Sequence, residues 1–282
     1  MFPPRKPNRN RRPRKGHVII MNKKYPFLLI LVFFLSLLAC EKKESLPPLR
    51  VGMDLSFPPF EMIDAEGKPD GISVRLAESL ASYLHRSVEI ENIPFVGLIP
   101  SLQTKKIDLI ISSMTDTPER RQSIAFSNPY LTLGLGILTH QPSSIHDRND
   151  LDHPGMKIAV RQGTIGEQWA RKHLKKPTLM AFDQEASAVL EVLENRVDGF
   201  IYDVLSIWKF YQAHPEQTIA LLTPLEVSST AIGIRLEDIK LREEVNDFLK
   251  SFREQGGFEK LGDQYLKEQK EFFAQQGIPF YL

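Results

Sequence analysis

Apolar residues occur along this chain in short runs, separated by stretches in which they recur at helical spacing. Residues 107–111 are one such run, Ile and Leu around a single Asp, and read as a strand buried on both faces. The run stops at Ser112, Ser113, Met114 and Thr115, which places small hydroxyl groups at the strand's carboxyl end. Thr117-Pro118-Glu119 then supplies a cap residue, a proline at the first helical position and an acid in the first turn. Arg120 sits just inside that helix start. Taken singly, these are turn residues and a solvated charge. Together, hydroxyls, free helical N–H groups and a guanidinium beyond the end of a parallel strand form a seat for a small carboxylate.

The same alternation organises the rest. Residues 49–54 form a first strand, and the loop 55–60, with Phe57, Pro58, Pro59 and Phe60, cannot continue in a sheet because its prolines remove donors and fix φ. Residues 66–71 carry turn chemistry, and a helix follows with Val74, Ala77, Leu80, Ala81 and Leu84 on one face. A strand over 88–93 leads into Pro94 and Phe95, and a short helix spans 98–105. Beyond Tyr130 an extended run (131–139) and a polar loop (141–154) precede a second series of strands and helices. Its strands are 157–161, 178–182, 197–202 and 219–222. Its helices open at Gln162-Gly163-Thr164-Ile165, with Trp169 on board, at 185–195 and from Asp203. A last extended run (230–235) leads to a helical tail, with Ile239, Val245, Phe248, Leu249 and Phe252 on one face and a break at Gly256-Gly257.

Two strand-to-helix junctions of the second series carry candidate chemistry. Gln162-Gly163-Thr164 places a glycine and a hydroxyl where helical N–H groups can meet an anion, although both residue types are routine in turns and caps. Asp203 ends a strand and begins a helix, so its carboxylate either caps the helix or faces an ammonium group in the crevice. Phe60 and Trp169 read as core.

Charge adds an asymmetry. The chain has 282 residues, 36 Lys and Arg and 35 Asp and Glu, for a net charge of +1. Nine of the basic residues and none of the acids lie in 1–39, so the part from Cys40 on has 36 − 9 = 27 basic and 35 acidic residues, net −8. That balance argues against a nucleic-acid partner. Met21, Asn22, Lys23 and Lys24, followed by the apolar stretch 27–38, read as an export signal too short for a comfortable membrane span. Residues 1–20, dense in Arg, Lys and Pro, read as an over-long upstream extension of a signal that begins at Met21. Leu37-Leu38-Ala39-Cys40 resembles the bacterial lipoprotein box, and Cys40, the single cysteine, is then the lipidated residue, with 40–48 as a polar tether. No metal and no cofactor are expected.

The ordered motifs Phe57-Pro58-Pro59-Phe60-Glu61, Gly97-Leu98-Ile99-Pro100-Ser101-Leu102, Lys106-Ile107-Asp108-Leu109, Arg120 through Ser127-Asn128-Pro129-Tyr130, and Ala159-Val160-Arg161-Gln162-Gly163-Thr164 resemble the family-3 bacterial solute-binding proteins of amino-acid ABC importers. The resemblance covers about 49–266. It implies an α/β fold of the type II periplasmic-binding-protein kind, with two lobes, a two-strand hinge and the ligand between them. Lobe one is expected over 49–131 plus 230–282 and lobe two over 136–225, with hinges near 131–135 and 226–231. Carried over residue by residue, Arg120 clamps the ligand's α-carboxylate, helped by Thr115 and Thr164. Asp203, with Ser113, receives the α-ammonium, and Phe57 and Phe95 sandwich the aliphatic stem. Ser112 matches a polar residue of relatives that bind basic amino acids, and Gln162 belongs to the anion-binding junction. Asp54 either probes the ligand side chain, favouring a cationic or amide group, or caps its own loop.

The function implied is capture of a polar or basic L-amino acid, with lysine, arginine and glutamine as candidates. A lipid-anchored monomer outside the cytoplasm would then deliver it to an importer permease. Two rivals stand beside it: a dehydratase of cyclohexadienyl or arogenate type on the same fold, and a surface sensor or adhesin.

Overall fold

A computed structural model of the chain describes residues 46–275. The expected signal, the upstream extension, Cys40 and most of the tether lie outside the described residues.

The described chain folds as two α/β lobes. In order, the strands are β1 (Leu49–Met53), β2 (Ser56–Phe57), β3 (Glu61–Ile63), β4 (Pro69–Asp70), β5 (Val88–Asn92), β6 (Leu109–Ile110), β7 (Ala125–Phe126), β8 (Leu131–His140), β9 (Lys157–Arg161), β10 (Thr178–Phe182), β11 (Gly199–Asp203), β12 (Thr218–Leu221), β13 (Val227–Thr230) and β14 (Gly233–Ile234). The helices are α1 (Ile72–Tyr83), α2 (Leu98–Gln103), α3 (Pro118–Arg121), α4 (Ile165–His173), α5 (Glu185–Leu193), α6 (Val204–Ala213), α7 (Ile239–Glu254), α8 (Gly257–Tyr265) and α9 (Lys267–Gln275).

One sheet has the order β5-β1-β6-β14-β7, with β1 parallel to both β5 and β6. The other has the order β10-β9-β11-β8-β12, with β9 parallel to β10 and β11, and β8 antiparallel to β11 and β12. Two chain passes, β8 and β13, run between the sheets and pair antiparallel, Leu131 to Gly134 opposite Thr230 to Val227. The carboxyl ends of β1, β6, β9 and β11 carry Asp54, the 111–115 segment, Arg161 and Asp203, and the ends of parallel strands are where open α/β sheets bind ligands.

Burial follows the sequence pattern closely. Ile107, Leu109, Ile110 and Ile111 are all fully buried. On α1 the buried positions are Ile72, Ser73, Val74, Leu76, Ala77, Leu80 and Ala81, an apolar stripe at i, i+4, i+8 spacing that packs on the first sheet and on α8. On α7, Val245, Phe248 and Leu249 are buried, whereas Ile239, expected on that face, is exposed because it opens the helix, a turn and a half before the buried stretch begins. Gly256 ends α7 in the left-handed region, at φ 70°.

Two short segments differ from expectation. The double-proline loop does return to a sheet: Ser56 and Phe57 pair with Met62 and Glu61, and the prolines occupy the turn, where no ladder donor is needed. The last extended run is split, with β13 ending at Thr230 and β14 beginning at Gly233.

Gly71 fixes that loop against α1. It sits at φ 113°, and a Cβ there would lie 2.5 Å from the Phe60 carbonyl oxygen and 2.7 Å from that of Pro59. These carbonyls accept from Ser73 N (2.7 Å) and Ile72 N (3.2 Å). Gly71→Ala is therefore expected to cost about 1–3 kcal/mol of stability, read by chemical denaturation. A cost within measurement error would contradict this reading of the loop.

Candidate functional site

A cleft opens where the strand ends of the two sheets face each other. Its walls include Asp54, Phe57, Phe95, Ser112, Ser113, Thr115, Arg120, Thr164 and Asp203, the residues that the sequence had singled out, with the exception of Gln162. Gln162 is exposed and lies off the cleft wall. Arg161, the last residue of β9, takes the inward place, and the next residue along an extended chain faces the other way. The cleft is also lined by Ile165 and by Glu61, Leu133, Leu135, Arg161, Gly166 and Tyr202, six residues that sequence reading had not assigned to it.

Arg120 is positioned by a single helical turn. Thr117 caps α3 by accepting from the Arg120 backbone N–H at 3.3 Å, and Pro118 occupies the first helical position. The Arg120 guanidinium donates to the Thr115 carbonyl at 2.7 Å and, across the cleft, to the Gly163 carbonyl at 2.9 Å. Its carbon lies 5.3 Å from the centroid of the Phe95 ring. Among the described residues no carboxylate pairs with it, and burial pulls its pKa down to about 10. A buried cation held by two neutral carbonyls is a strong attractor for an anion.

Asp203 has both of the roles that the sequence left open within reach. Its Oδ1 accepts from Leu205 N at 2.9 Å and Ser206 N at 3.4 Å, capping α6, while the buried Oδ2 has no partner among the described residues. Burial raises its pKa to about 7, against the two backbone donors that favour the charged form. A ligand ammonium would supply the missing partner and hold the carboxylate ionised.

Asp54 lines the cleft, but its carboxylate is already engaged. Oδ2 accepts from Arg161 Nη2 at 2.5 Å and from Phe95 N at 3.0 Å, and Oδ1 accepts from Ser56 Oγ at 2.7 Å. Thr164 donates its hydroxyl to the Arg161 carbonyl at 2.7 Å and lies at the N-cap of α4, whose first-turn residues Ile165 and Gly166 reach the cleft.

Glu61 forms the floor of a hydroxyl cluster. It accepts from Ser73 Oγ at 2.6 Å, Ser113 Oγ at 3.1 Å and Ser112 Oγ at 3.4 Å, and Ser112 Oγ in turn accepts from Asp54 N at 2.9 Å. Burial pushes the Glu61 pKa up to about 8, so the group is mostly protonated at neutral pH. Ser113 reaches it from a left-handed backbone, φ 46°, which costs a non-glycine residue about 1 kcal/mol and marks a locally strained site. Phe57 stacks on Phe60 at 5.1 Å and meets Tyr202 edge-on at 5.9 Å, which fixes the aromatic wall.

Residues 49–268 match the family of bacterial extracellular solute-binding proteins, family 3. The chain belongs to that family. Among its relatives is the ABC transporter arginine-binding protein 1 of Escherichia coli strain K12, 25% identical over 224 residues, which cover 78% of this chain and 91% of the relative. The crystal structure of AncCDT-1, an ancestral amino-acid-binding protein and precursor of cyclohexadienyl dehydratase, is 34% identical. It superposes with a TM-score of 0.70 over 77% of this chain and 94% of its own. A mutant of ArgBP from T. maritima is 34% identical, with a TM-score of 0.72 over 78% of this chain and 95% of its own. The fold is accordingly that of the type II periplasmic amino-acid-binding proteins.

The raised pKa of Asp203 has a consequence for the ligand-free protein. The folded chain keeps this proton up to about pH 7, and the unfolded chain loses it near pH 4. The folded state therefore holds more protons across that window, and stability falls as pH rises through it. Glu61 and Glu185, raised to about 8 and about 7 by burial, act in the same direction. Asp203→Asn keeps a good helix cap and removes the charge. The melting temperature of the ligand-free variant is expected to fall less between pH 5 and pH 8 than that of the wild type; equal falls would contradict the assignment.

Proposed function

We propose that the protein captures an L-amino acid outside the cytoplasm and delivers it to an ABC importer. The observation that carries this reading is the pair of buried, incompletely partnered charges on the cleft wall. Among the described residues, Arg120 lacks an anion and Asp203 Oδ2 lacks a donor, which together match the two ends of a zwitterion. An Arg fork suits a carboxylate better than a Lys point charge does, and desolvating both ligand charges is tolerable only when each finds a partner. Thr115, Thr164, Ser113 and the Phe57 and Phe95 rings, all on the cleft wall, complete the proposed site. Membership of the family, and relatives named as amino-acid-binding proteins of transporters, support the same role.

The lobes proposed to close on the ligand are 49–131 with 230–282, and 136–225. The paired passes β8 and β13 serve as the hinge. A monomer anchored through lipidated Cys40, after removal of a signal ending at 39, is the proposed cellular form, and it rests on the lipoprotein-box sequence alone.

One observation favours a second reading. A buried carboxylic acid that stays protonated at neutral pH, Glu61, lines the cleft, and such a group can act as a general acid. AncCDT-1, described as a precursor of cyclohexadienyl dehydratase, is similar to this chain.

A thermal-shift screen of residues 41–282 against the twenty amino acids and prephenate separates the two. A ligand present at about 100 times its dissociation constant adds roughly 2.7 kcal/mol to the folded state. One or a few amino acids are expected to shift the melt, and Arg120→Ala or Asp203→Ala to weaken binding by at least ~100-fold. No shift with any amino acid would refute the binding role, and a shift with prephenate alone would favour the enzyme.

A further inference from the structure

The side-chain end of the cleft holds a cation of the protein's own. Arg161 and Asp54 come from opposite lobes, 107 residues apart in sequence, and form an ion pair with side chains only 3% and 9% exposed. The Arg161 guanidinium also donates from Nη2 to Ser56 Oγ at 2.9 Å, from Nη1 to the Tyr202 hydroxyl at 3.0 Å and from Nε to the Asp183 carbonyl at 3.2 Å. Four of its five N–H groups are thereby used. Asp54 in turn accepts from Ser56, Phe95 and Arg161, so its carboxylate has no unmet need for a donor.

Resting on the amino-acid reading above, we propose that Arg161 occupies the cationic place opposite Asp54 and restricts the site to amino acids with uncharged side chains. Three observations converge on this. The first is charge balance. With Glu61 held neutral by burial, Arg120 and Arg161 offset Asp54 and Asp203 around the cleft, so a zwitterion with a neutral side chain keeps the site neutral, whereas a lysine or arginine ligand brings a second cation against Arg161. An acidic side chain could pair with Arg161 only by drawing it from Asp54, whose buried charge would then have no cation beside it, which is unfavourable. The second is saturation: both Asp54 oxygens already accept hydrogen bonds from the protein, so a cationic side chain finds no open carboxylate there. The third is the lining, where Phe57, Phe95, Leu133, Leu135 and Ile165 present an apolar surface to whatever the α-carbon carries.

Calorimetric titration of the wild type with each amino acid tests the proposal. The tightest ligand is expected to have an uncharged side chain, with lysine and arginine at least 100-fold weaker. Lysine or arginine as the tightest ligand would overturn it, while no binding of any amino acid would instead overturn the reading beneath it. Arg161→Gln removes the internal cation and leaves Asp54 free. The affinity for lysine or arginine, relative to the best neutral ligand, is then expected to rise at least tenfold, and an unchanged ratio would contradict the proposal. The double variant Asp54→Asn/Arg161→Gln removes both buried charges together, so it remains informative if the single variant does not fold. It is expected to keep the neutral preference; a lysine or arginine preference in the double variant would show that Asp54 is not the group Arg161 neutralises.

Discussion

Arg120 carries its charge where water scarcely reaches, and its partners are two backbone carbonyls, Thr115 on its own lobe and Gly163 on the other. Carbonyl dipoles lower the cost of burying a guanidinium but do not cancel it, and the depressed pKa of the group records what is left. Asp203 is the complementary case, a carboxylate with one oxygen held by the start of α6 and the other unmet. The rest of the structure serves to hold these two groups in place. Parallel strands end at the cleft, a one-turn helix presents Arg120, a longer helix is capped by Asp203, and paired connecting strands join the lobes that carry them. A ligand that supplies both missing charges gains interactions in the closed arrangement that the open one cannot offer, which is the differential affinity needed to shift a two-state equilibrium.

The remaining ionisable groups of the cleft are neutralised internally. Arg161 is matched to Asp54, and Glu61, whose pKa burial raises against the hydrogen bonds of Ser73, Ser112 and Ser113, sits among those hydroxyls. Among the described residues, this division leaves the charges of Arg120 and Asp203 open and closes those of Arg161 and Asp54 on each other. The Asp54 carboxylate on the cleft wall is thereby already occupied.

Much of the fold was legible in the sequence because the strands are short apolar runs with polar flanks and the helices carry clean stripes. The bounds of β9 and β10 coincide with the runs at 157–161 and 178–182. Arg120 and Asp203 were legible because each sits at a local strand-to-helix junction, where cap and proline signals fix the geometry over a few residues. The Arg161–Asp54 pair was not, because its partners are distant in sequence and meet only when the lobes are assembled. Glu61 reads locally as the end of a proline turn, and only the fold brings three serines to it from α1 and from the end of β6. Gln162 failed on parity: a one-residue step along an extended chain decides between cleft and solvent, and the junction pattern does not specify the phase.

The most direct test of the central claim is to compare, by calorimetry, the best amino-acid ligand with two blocked forms of it: the N-acetyl derivative, which has no ammonium, and the carboxamide, which has no carboxylate. If the open charges of Arg120 and Asp203 are what the ligand satisfies, each blocked form leaves one of them buried and unpaired and should bind at least ~100-fold more weakly. If either blocked form binds within a few fold of the free amino acid, the cleft does not work by completing those two charges.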